Sequence, residues 1–290
     1  RKEFMMQSAR LTCDFFNLRV YKTVLLCLPV QYIAGKMMLV RAVMNLMEVL
    51  IREPSGHPLK EKSPRVEFAA MTPMQVYNSL QSAEERRRLK SIKKLLIGGS
   101  AIDAELEKKL RRFPGEVYMS YGMTETLSHI ALRRISGTEA SDYYTPFPSV
   151  RLSLSERGTL VIDAPLVCDE ILETNDLAEI RADGTFRILG RIDNVINSGG
   201  IKIHAEELEN ELRAVISINF AITSVPDPQL GEAVVLLVED EKRYPSFSFK
   251  SLPAHRRPRY VLRTGCIPVT GNGKTDRSAC KKLARLLLKI

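Results

Sequence analysis

Short apolar runs that alternate with helical segments constrain the fold of this chain more than any other feature. The run at 24–30 is apolar throughout, which is typical of a parallel strand buried on both faces. Shorter strand-like runs follow at 67–71, 94–97 and 116–119. Because parallel strands need a crossover between them, usually a helix, the alternation predicts an α/β fold whose large domain is layered.

Helix signals lie between these runs. We predict helices over residues 1–18 and 37–51, the second of them buried. Thr72 precedes a proline and is predicted to cap a helix that begins at that proline. Residues 82–85 have the spacing of a capping box, and a further helix is predicted over 103–112, with its aspartate as the cap.

The hydropathy pattern of the sequence changes at residue 149. Up to residue 188, short alternating runs are separated by Arg-Gly and Asp-Gly pairs, which predicts a small antiparallel β subdomain. A second unit then follows, with strands at 195–196, 220–224 and 233–239, a helix at 205–213 and a basic helix from Arg277. We predict a large domain over residues 1–193 and a smaller α+β C-terminal lid domain over residues 194–290.

Composition favours a globular protein with anionic partners. The 290 residues are 44% hydrophobic and 27% charged, with a formal net charge of +9. The positive charge suits nucleotides or coenzyme A. Lysine and arginine are spread rather than gathered in one stripe with interleaved aromatics, so we expect no nucleic-acid partner. A monomer or a homodimer is expected.

Cysteine usage and hydropathy bear on location. The five cysteines form no Cys-x-x-Cys pair and have no metal-ligand spacing with the four histidines. Scattered thiols are typical of a reducing compartment, so we predict a cytoplasmic protein, and we expect no signal peptide. The most apolar region, 23–51, contains Lys36, Arg41 and Glu48 and is predicted to be buried structure rather than a membrane span.

The segment Tyr121–Thr126 combines groups that suit a nucleotide. A strand-like run ends at Gly122, where the backbone can approach a flat ligand closely. Thr124 can donate to a phosphate oxygen, and Glu125 can hold Mg²⁺. The alternative is a strand followed by a helix that has Thr-Glu in its first turn. The glycines of Gly98-Gly99-Ser100, between a strand and a helix, could likewise lie flat against a planar group, or they could form a plain tight turn.

Two further blocks follow in order, at 190–209 and at 268–277. Together with Tyr121–Thr126 they resemble the adenylate-forming superfamily, which comprises acyl-CoA ligases, luciferases and the adenylation domains of peptide synthetases. The resemblance extends from about residue 20 to the end of the chain.

The resemblance implies a role for individual residues. Gly98-Gly99-Ser100 and Tyr121-Gly122-Met123 would enclose the adenine, Asp176 would accept hydrogen bonds from the ribose, and Arg191 would contact ribose and phosphate. Asp193 would be the hinge of the lid, and Gly199 and Gly200 would border the coenzyme A tunnel. Lys274 would neutralise charge in the transition state, with Thr124 and Glu125 as the other catalytic groups. Each residue also has an alternative without a functional role. Asp176 and Arg191 could be ordinary surface residues, Gly199 and Gly200 could form a turn between strands, and Lys274 could be a solvated loop lysine.

The implied reaction has two steps. A carboxylate attacks the α-phosphate of ATP to give an acyl-adenylate, and the thiol of coenzyme A then displaces AMP, with Mg²⁺ on Glu125. Residues 120–131 most resemble o-succinylbenzoate–CoA ligases of menaquinone biosynthesis. Tyr32 and Gly35 would line the acyl pocket, unless that segment is simply core. Ser128 and His129 would contact the second carboxylate or the keto group, unless His129 is a satisfied core histidine.

Other functions stay open at this point. They are a ligase for another aryl or fatty acid, an adenylation enzyme that feeds a carrier protein, and a catalytically silent nucleotide-binding module. The superfamily's phosphate-gripping loop, rich in Ser, Thr and Gly and ending in Pro-Lys, is not in the sequence and is expected just before residue 1. On that expectation the 290 residues alone would bind ATP poorly.

Overall fold

A computed structural model describes residues 1–62, 64–213, 215–216, 218–239, 249, 252–270 and 275–290. The chain divides into two compact units. The first comprises residues 1–174 and 179–187, and the second comprises residues 175–178 and 188–290. The predicted domain boundary after Asp193 stays a prediction.

The first unit contains a seven-stranded sheet with the order β2-β1-β3-β4-β5-β6-β7. Its strands are β1 Thr23–Leu26, β2 Glu48–Ile51, β3 Phe68–Met71, β4 Lys94–Ile97, β5 Glu116–Gly122, β6 His129–Arg134 and β7 Thr145–Pro146. Strands β1 to β5 are mutually parallel, whereas β6 and β7 are antiparallel to their neighbours. The helices are α1 Lys2–Phe15, α2 Ile33–Met44, α3 Pro73–Gln81, α4 Ala83–Ser91 and α5 Ala104–Leu110.

Both faces of the parallel strands are buried. Leu25, Leu95 and Val117 belong to a core cluster that also contains residues of α3, α4 and α5. Val24 and Leu96, which alternate with them, are buried as well. This accounts for the uninterrupted apolar runs of the sequence.

The prediction of one helix over 37–51 is wrong. Helix α2 ends at Met44, Leu46 adopts the left-handed region with φ +48°, and the Met47 N–H donates back to the Ala42 carbonyl at 2.9 Å. The chain then forms β2, which pairs in parallel with β1. A short turn therefore reverses the chain without the glycine or proline that usually marks such a stop.

The structure confirms the predicted helix caps only in part. Thr72 caps α3 and forms a full capping box with Gln75. Ser82 caps α4, but the predicted reciprocal bond from Glu85 is absent, since its carboxylate instead meets His57 at 2.9 Å and Ser79 at 3.4 Å. Asp103 caps α5 through the Leu106 N–H at 2.7 Å, as predicted.

A four-stranded sheet has the order β11-β10-β9-β8. Its strands are β8 Arg151–Leu154, β9 Thr159–Asp163, β10 Leu172–Ile180 and β11 Phe186–Arg191. The β8–β9 pair is antiparallel, as the alternating runs of this region predict.

The second unit has a sheet with the order β13-β12-β15-β14, and β16 also pairs with β15. Its elements are β12 Val195–Ser198, β13 Ile201–His204, α6 Ala205–Leu212, β14 Phe220–Asp227, β15 Gly231–Glu239, β16 Tyr260–Thr264 and α7 Arg277–Leu288. Alternate residues of β15 belong to two clusters, one with residues of α6 and one with residues of α7. Each helix therefore covers one face of the sheet. Among the helices of the described residues, none is both long and apolar enough to cross a lipid bilayer.

Candidate nucleotide and acid site

The segment 122–128 is a tight turn between two antiparallel strands, β5 and β6. The alternative of a helix that begins at Thr124 is therefore wrong. Leu127 adopts φ +61°, and its N–H donates to the Thr124 carbonyl at 2.9 Å. At Gly122 a Cβ would lie 2.5 Å from the His129 Cα and against the Ser128 carbonyl. Only glycine fits this return of the chain.

Thr126 holds the turn from inside and was missed by the sequence interpretation. Its side chain is fully buried. The hydroxyl accepts from the Met123 N–H at 3.1 Å and donates to the Ser128 carbonyl at 2.8 Å. A threonine that follows Thr-Glu gives no sequence signal of its own, because its importance depends on which backbone groups the turn brings together.

Thr124 and Glu125 are exposed on this turn. Across the described residues, no group of three or more His, Cys, Asp or Glu side chains is arranged to hold a metal ion. Mg²⁺ in phosphate-transfer sites takes one or two carboxylates, with substrate phosphates and water as its other ligands. One exposed carboxylate fits that role and does not fit a permanently bound ion.

Gly98-Gly99-Ser100 lies at the same edge of the sheet as Tyr121-Gly122. The parallel register pairs Ile97 with Met119, so Gly98-Gly99-Ser100, just after β4, and Tyr121-Gly122, at the end of β5, lie at the carboxyl ends of neighbouring strands. A Cβ on Gly98 would strike the Ser120 hydroxyl, which donates to the Ile97 carbonyl at 3.2 Å. Gly99 has φ +96° and open space beside it. Ligands of open α/β sheets bind at this edge.

A chain of buried polar groups lies behind the turn. Arg41 Nη2 donates to Ser128 Oγ at 2.7 Å, Ser128 Oγ lies 3.2 Å from His129 Nδ1, and His129 Nε2 lies 3.1 Å from Thr12 Oγ1. Thr12 donates to the Ser8 carbonyl at 3.1 Å. The hydroxyl of Thr12 is thereby used as a donor, so Nε2 carries the imidazole proton and Ser128 donates to Nδ1.

Electrostatics keep His129 neutral. The ring is 6% exposed, and burial together with the charge of Arg41 holds the pKa of His129 well below its ordinary value. Burial likewise raises the pKa of Cys13 to about 11. His129 is thus a satisfied core histidine in its contacts, and its neighbour Ser128 is half-buried.

Arg41 is the second residue that the sequence interpretation missed as a site residue. It is 2% exposed, and burial lowers its pKa to about 10. Its Nε has no hydrogen-bond partner, and among the described residues no carboxylate pairs with it. The available signal was an arginine in the middle of the apolar run 37–44. Buried charges are normally paired, so an unpaired one indicates a functional site.

Tyr32 and Gly35 lie at the start of α2. Tyr32 is its N-terminal flanking residue and is 49% exposed. A Cβ on Gly35 would lie 2.7 Å from the Leu28 carbonyl oxygen, so this glycine allows α2 to approach the end of β1 closely. Close packing of backbone is the role that the structure assigns to Gly35.

In the second unit, three predicted residues meet. Arg191 Nη1 donates to Asp176 at 3.1 Å, and its Nη2 donates to Asp193 at 2.8 Å. Burial opposes the charge of Arg191, but the two carboxylates outweigh it and raise the pKa of Arg191. Asn175 also donates to Asp193, at 3.1 Å. The predicted ribose contact and the predicted hinge therefore share one arginine.

Gly199 and Gly200 form the turn between β12 and β13, with φ +58° and +80°. The Gly199 N–H donates to the Leu230 carbonyl at 2.8 Å. The alternative of a turn between strands thus holds for this pair, and it is compatible with a passage for a thin ligand. Lys274 lies outside the described residues, and its role stays a prediction.

The chain resembles known proteins in sequence and in structure. Residues 3–164, more than half of the chain, match the family described as AMP-binding enzyme. The chain belongs to that family. The acyl-CoA synthetase (AMP-forming)/AMP-acid ligase II-like protein of Dyadobacter fermentans is 32% identical with a TM-score of 0.64, and the alignment covers 97% of this chain and 83% of that one. The α/β fold class and the resemblance to adenylate-forming enzymes are confirmed.

Curated relatives of this chain are named for different acids. The 2-succinylbenzoate–CoA ligase of Lactococcus lactis is 22% identical over 280 residues, covering 89% of this chain and 61% of the relative. The feruloyl-CoA synthase of an Amycolatopsis species is 27% identical over 225 residues, covering 64% of this chain and 45% of the relative. The chain thus spans less than two thirds of either relative. The likenesses support an AMP-forming acyl- or aryl-CoA ligase, with ATP as the family's nucleotide.

Proposed function

We propose that the protein is an AMP-forming acid–thiol ligase that activates o-succinylbenzoate and transfers it to coenzyme A, as in menaquinone biosynthesis. The observation that carries the choice of acid is the buried guanidinium of Arg41, bonded to Ser128 and lacking a carboxylate partner among the described residues. A dicarboxylic acid brings two carboxylates. One is activated, and the other supplies the missing counter-charge.

The geometry around Arg41 supports this assignment. The Ser128 hydroxyl donates a hydrogen bond to Nδ1 of His129, and its oxygen therefore accepts the hydrogen bond from Arg41. The Nε of Arg41 remains as a donor. A guanidinium presents its donors in a fork that matches a carboxylate. His129 stays neutral near pH 7 and adds no second buried charge.

In the first step, a carboxylate oxygen attacks the α-phosphorus of ATP, and the bond to the bridging oxygen breaks to release pyrophosphate. Gly98-Gly99-Ser100 and Tyr121-Gly122-Met123 enclose the adenine, Thr124 donates to a phosphate, and Glu125 holds Mg²⁺, which supplies charge neutralisation when bound. Lys274 approaches the α-phosphate; losing one such group typically lowers kcat about 10²–10³-fold.

In the second step, the thiol sulfur of coenzyme A attacks the acyl carbon, the bond to the phosphate oxygen of AMP breaks, and the thiol proton passes to solvent. Asp176 and Arg191 hold the ribose and phosphate. Residues 194–290 act as a lid that turns about Asp193, and Gly199 and Gly200 border the passage for the pantetheine arm. We place the reaction in the cytoplasm, where ATP and coenzyme A are found, and expect a monomer or a homodimer without a nucleic-acid partner.

The test is AMP release by the full-length protein with ATP, Mg²⁺ and coenzyme A. We would compare o-succinylbenzoate, benzoate and a medium-chain fatty acid, with Lys274→Ala as the inactive control. AMP formed with o-succinylbenzoate alone, and lost in the variant, is the expected result. AMP formed with another acid keeps the ligase and removes the proposed substrate. No AMP with any acid would favour a catalytically silent nucleotide-binding module.

A further inference from the structure

A buried ion pair lies behind the predicted nucleotide site. Arg133 on β6 binds Glu107 on α5 in bidentate fashion, with N–O distances of 3.1 and 2.9 Å. The two side chains are 11% and 17% exposed. Burial opposes both charges, but the mutual hydrogen bonds outweigh it, lowering the pKa of Glu107 and raising that of Arg133. Neither residue belongs to the motifs of the predicted site.

Arg133 also holds an aromatic residue. Its guanidinium carbon lies 5.8 Å from the centre of the Tyr144 ring, within the distance of a cation–π contact. Tyr144 is in turn bound to Phe186 by two backbone hydrogen bonds of 2.6 and 3.0 Å. Their rings stack with centres 5.5 Å apart and planes at 28°. The ion pair therefore fixes a pair of stacked rings.

Those two rings support Tyr121. The Phe186 ring meets Tyr121 edge-on with centres 5.3 Å apart, and the Tyr144 ring lies 5.9 Å away. Both contacts are within the range of favourable aromatic pairs. Tyr121 is the aromatic residue that would lie against the adenine in the proposed function.

We propose that Glu107 and Arg133 are positioning residues for the nucleotide. They hold the Tyr144 ring through the guanidinium that lies over it, and Tyr144 and Phe186 hold the Tyr121 ring in the orientation that receives the base. The inference rests on the proposed function, because it assumes that Tyr121 contacts the nucleotide. Fixing the ring before binding removes the ordering of one side chain from the binding equilibrium.

A purely structural role would have different consequences. A buried ion pair is weak evidence for stability, since well-packed apolar groups often serve as well. What the pair adds is a fixed position, because a bidentate contact with Glu107 holds the guanidinium over the Tyr144 ring. Loss of that position should affect nucleotide affinity more than the affinity for the acid.

Glu107→Gln gives the sharpest test, because it keeps the stacked rings and removes the carboxylate that fixes the Arg133 guanidinium over Tyr144. Arg133→Met is the second variant. Glu116→Gln is the matched control, since it breaks the pair between Glu116 on β5 and Arg134 on β6 at 3.1 Å without touching Tyr144. The full-length protein would be used, with AMP binding measured by calorimetry and KM measured separately for ATP and for the acid.

We expect Glu107→Gln and Arg133→Met to weaken AMP binding about three- to tenfold, the factor for immobilising one side chain. KM for ATP should rise in parallel while KM for the acid changes less than about twofold. Tm should fall in both variants, whose ion pair is largely buried, and change little in the control, whose glutamate is more exposed. Unchanged AMP affinity, or equal rises of both KM values, would overturn the inference. Failure of the unaltered protein to bind AMP would refute the nucleotide site itself and the inference with it.

Discussion

Arg41 and Ser128 are 87 positions apart in the chain, yet Nη2 of the arginine lies 2.7 Å from the serine hydroxyl. The contact joins helix α2 to the turn between β5 and β6. It places a buried positive charge beside the turn that contains Thr124 and Glu125, the predicted contacts with phosphate and Mg²⁺. The proposed contact with the acid, at Ser128, lies on the same turn.

Replacing Arg41 by methionine tests that charge, because the side chain remains long and apolar while the guanidinium is lost. For o-succinylbenzoate we expect kcat/KM to fall about 10- to 100-fold, the range for a charge-assisted hydrogen bond of ~1.5–3 kcal/mol. Activity with benzoate, if present, should change little. Initial rates of AMP release for both acids check this, with Arg41→Lys as the charge-conserving control. Equal losses for both acids would show that Arg41 only supports the fold.

Gly98 and Ser120 form a second testable pair, because the serine hydroxyl occupies the place of a Cβ at Gly98. Gly98→Ala should destabilise the protein by about 1–3 kcal/mol through overpacking. Ser120→Ala removes the blocking oxygen, and its own Cβ would lie 3.7 Å from the new methyl group. The double variant should therefore be more stable than the single changes predict by addition. Urea unfolding of the four proteins measures this coupling.

Gly122→Ala provides the contrast, because the atoms that block a Cβ at Gly122 belong to the backbone of Ser128 and His129. No side-chain change can relieve that overlap. We expect a larger loss of stability than for Gly98→Ala, and no rescue by Ser128→Ala. Rescue would mean that the turn can move aside, and the requirement for glycine at 122 would then fail.

Much of the fold could be predicted from the sequence, because buried parallel strands and amphipathic helices leave periodic patterns. The run at 24–30 overlaps β1, which spans Thr23–Leu26, and the caps at Thr72 and Asp103 mark real helix starts. The failure at 37–51 has a local cause. The turn after Met44 is made by backbone hydrogen bonds and a left-handed Leu46, and neither leaves a compositional mark.

The site could be predicted only where motifs are contiguous. Gly98 and Tyr121 lie at the same edge of the sheet, as their positions at the carboxyl ends of two predicted strands imply. Arg41 and Thr126 could not be recognised, because their roles depend on partners that the fold brings near. The arginine meets Ser128 only through tertiary packing, and the threonine acts through backbone groups of its own turn. Pairwise proximity is not encoded in any single stretch of sequence.

His129 predicts a pH dependence of stability. Its pKa in the folded protein lies well below the value of about 6.5 expected when unfolded. The unfolded chain therefore binds a proton that the folded chain does not, so stability is complete above pH 6.5 and falls as the pH drops below it.

His129→Gln should remove that component of the pH dependence. Unfolding free energies of both proteins at several pH values would be compared, since the difference in slope isolates His129 from the other histidines. Protonation would also break the hydrogen-bond chain, because Ser128 could no longer donate to Nδ1. Identical slopes for the two proteins would contradict the assignment of a neutral, buried imidazole.

Glu209 and Arg277 anchor α7 in the second unit. The carboxylate of Glu209 accepts two bonds from the guanidinium, one of them at 2.8 Å, and one from the Ile222 N–H at 2.7 Å. Glu209 is 7% exposed, and Glu209→Gln leaves the part-buried Arg277 with only the more distant Glu206 carboxylate, at 3.7 Å. We expect a loss of about 1–3 kcal/mol in the stability of this unit and faster amide hydrogen exchange throughout α7.

Glu211→Gln is the control for that anchor. Glu211 pairs with Arg256 at 2.8 Å, but its side chain is 38% exposed, and exposed pairs contribute only about 0–1 kcal/mol. Exchange in α7 should remain unchanged in this variant, because Glu211 makes no contact with the start of that helix among the described residues. If both variants accelerate exchange in α7 equally, Glu209 is not its anchor, and the start of the helix is held instead by the Asp276 cap and by the packing of Cys280 and Ala284.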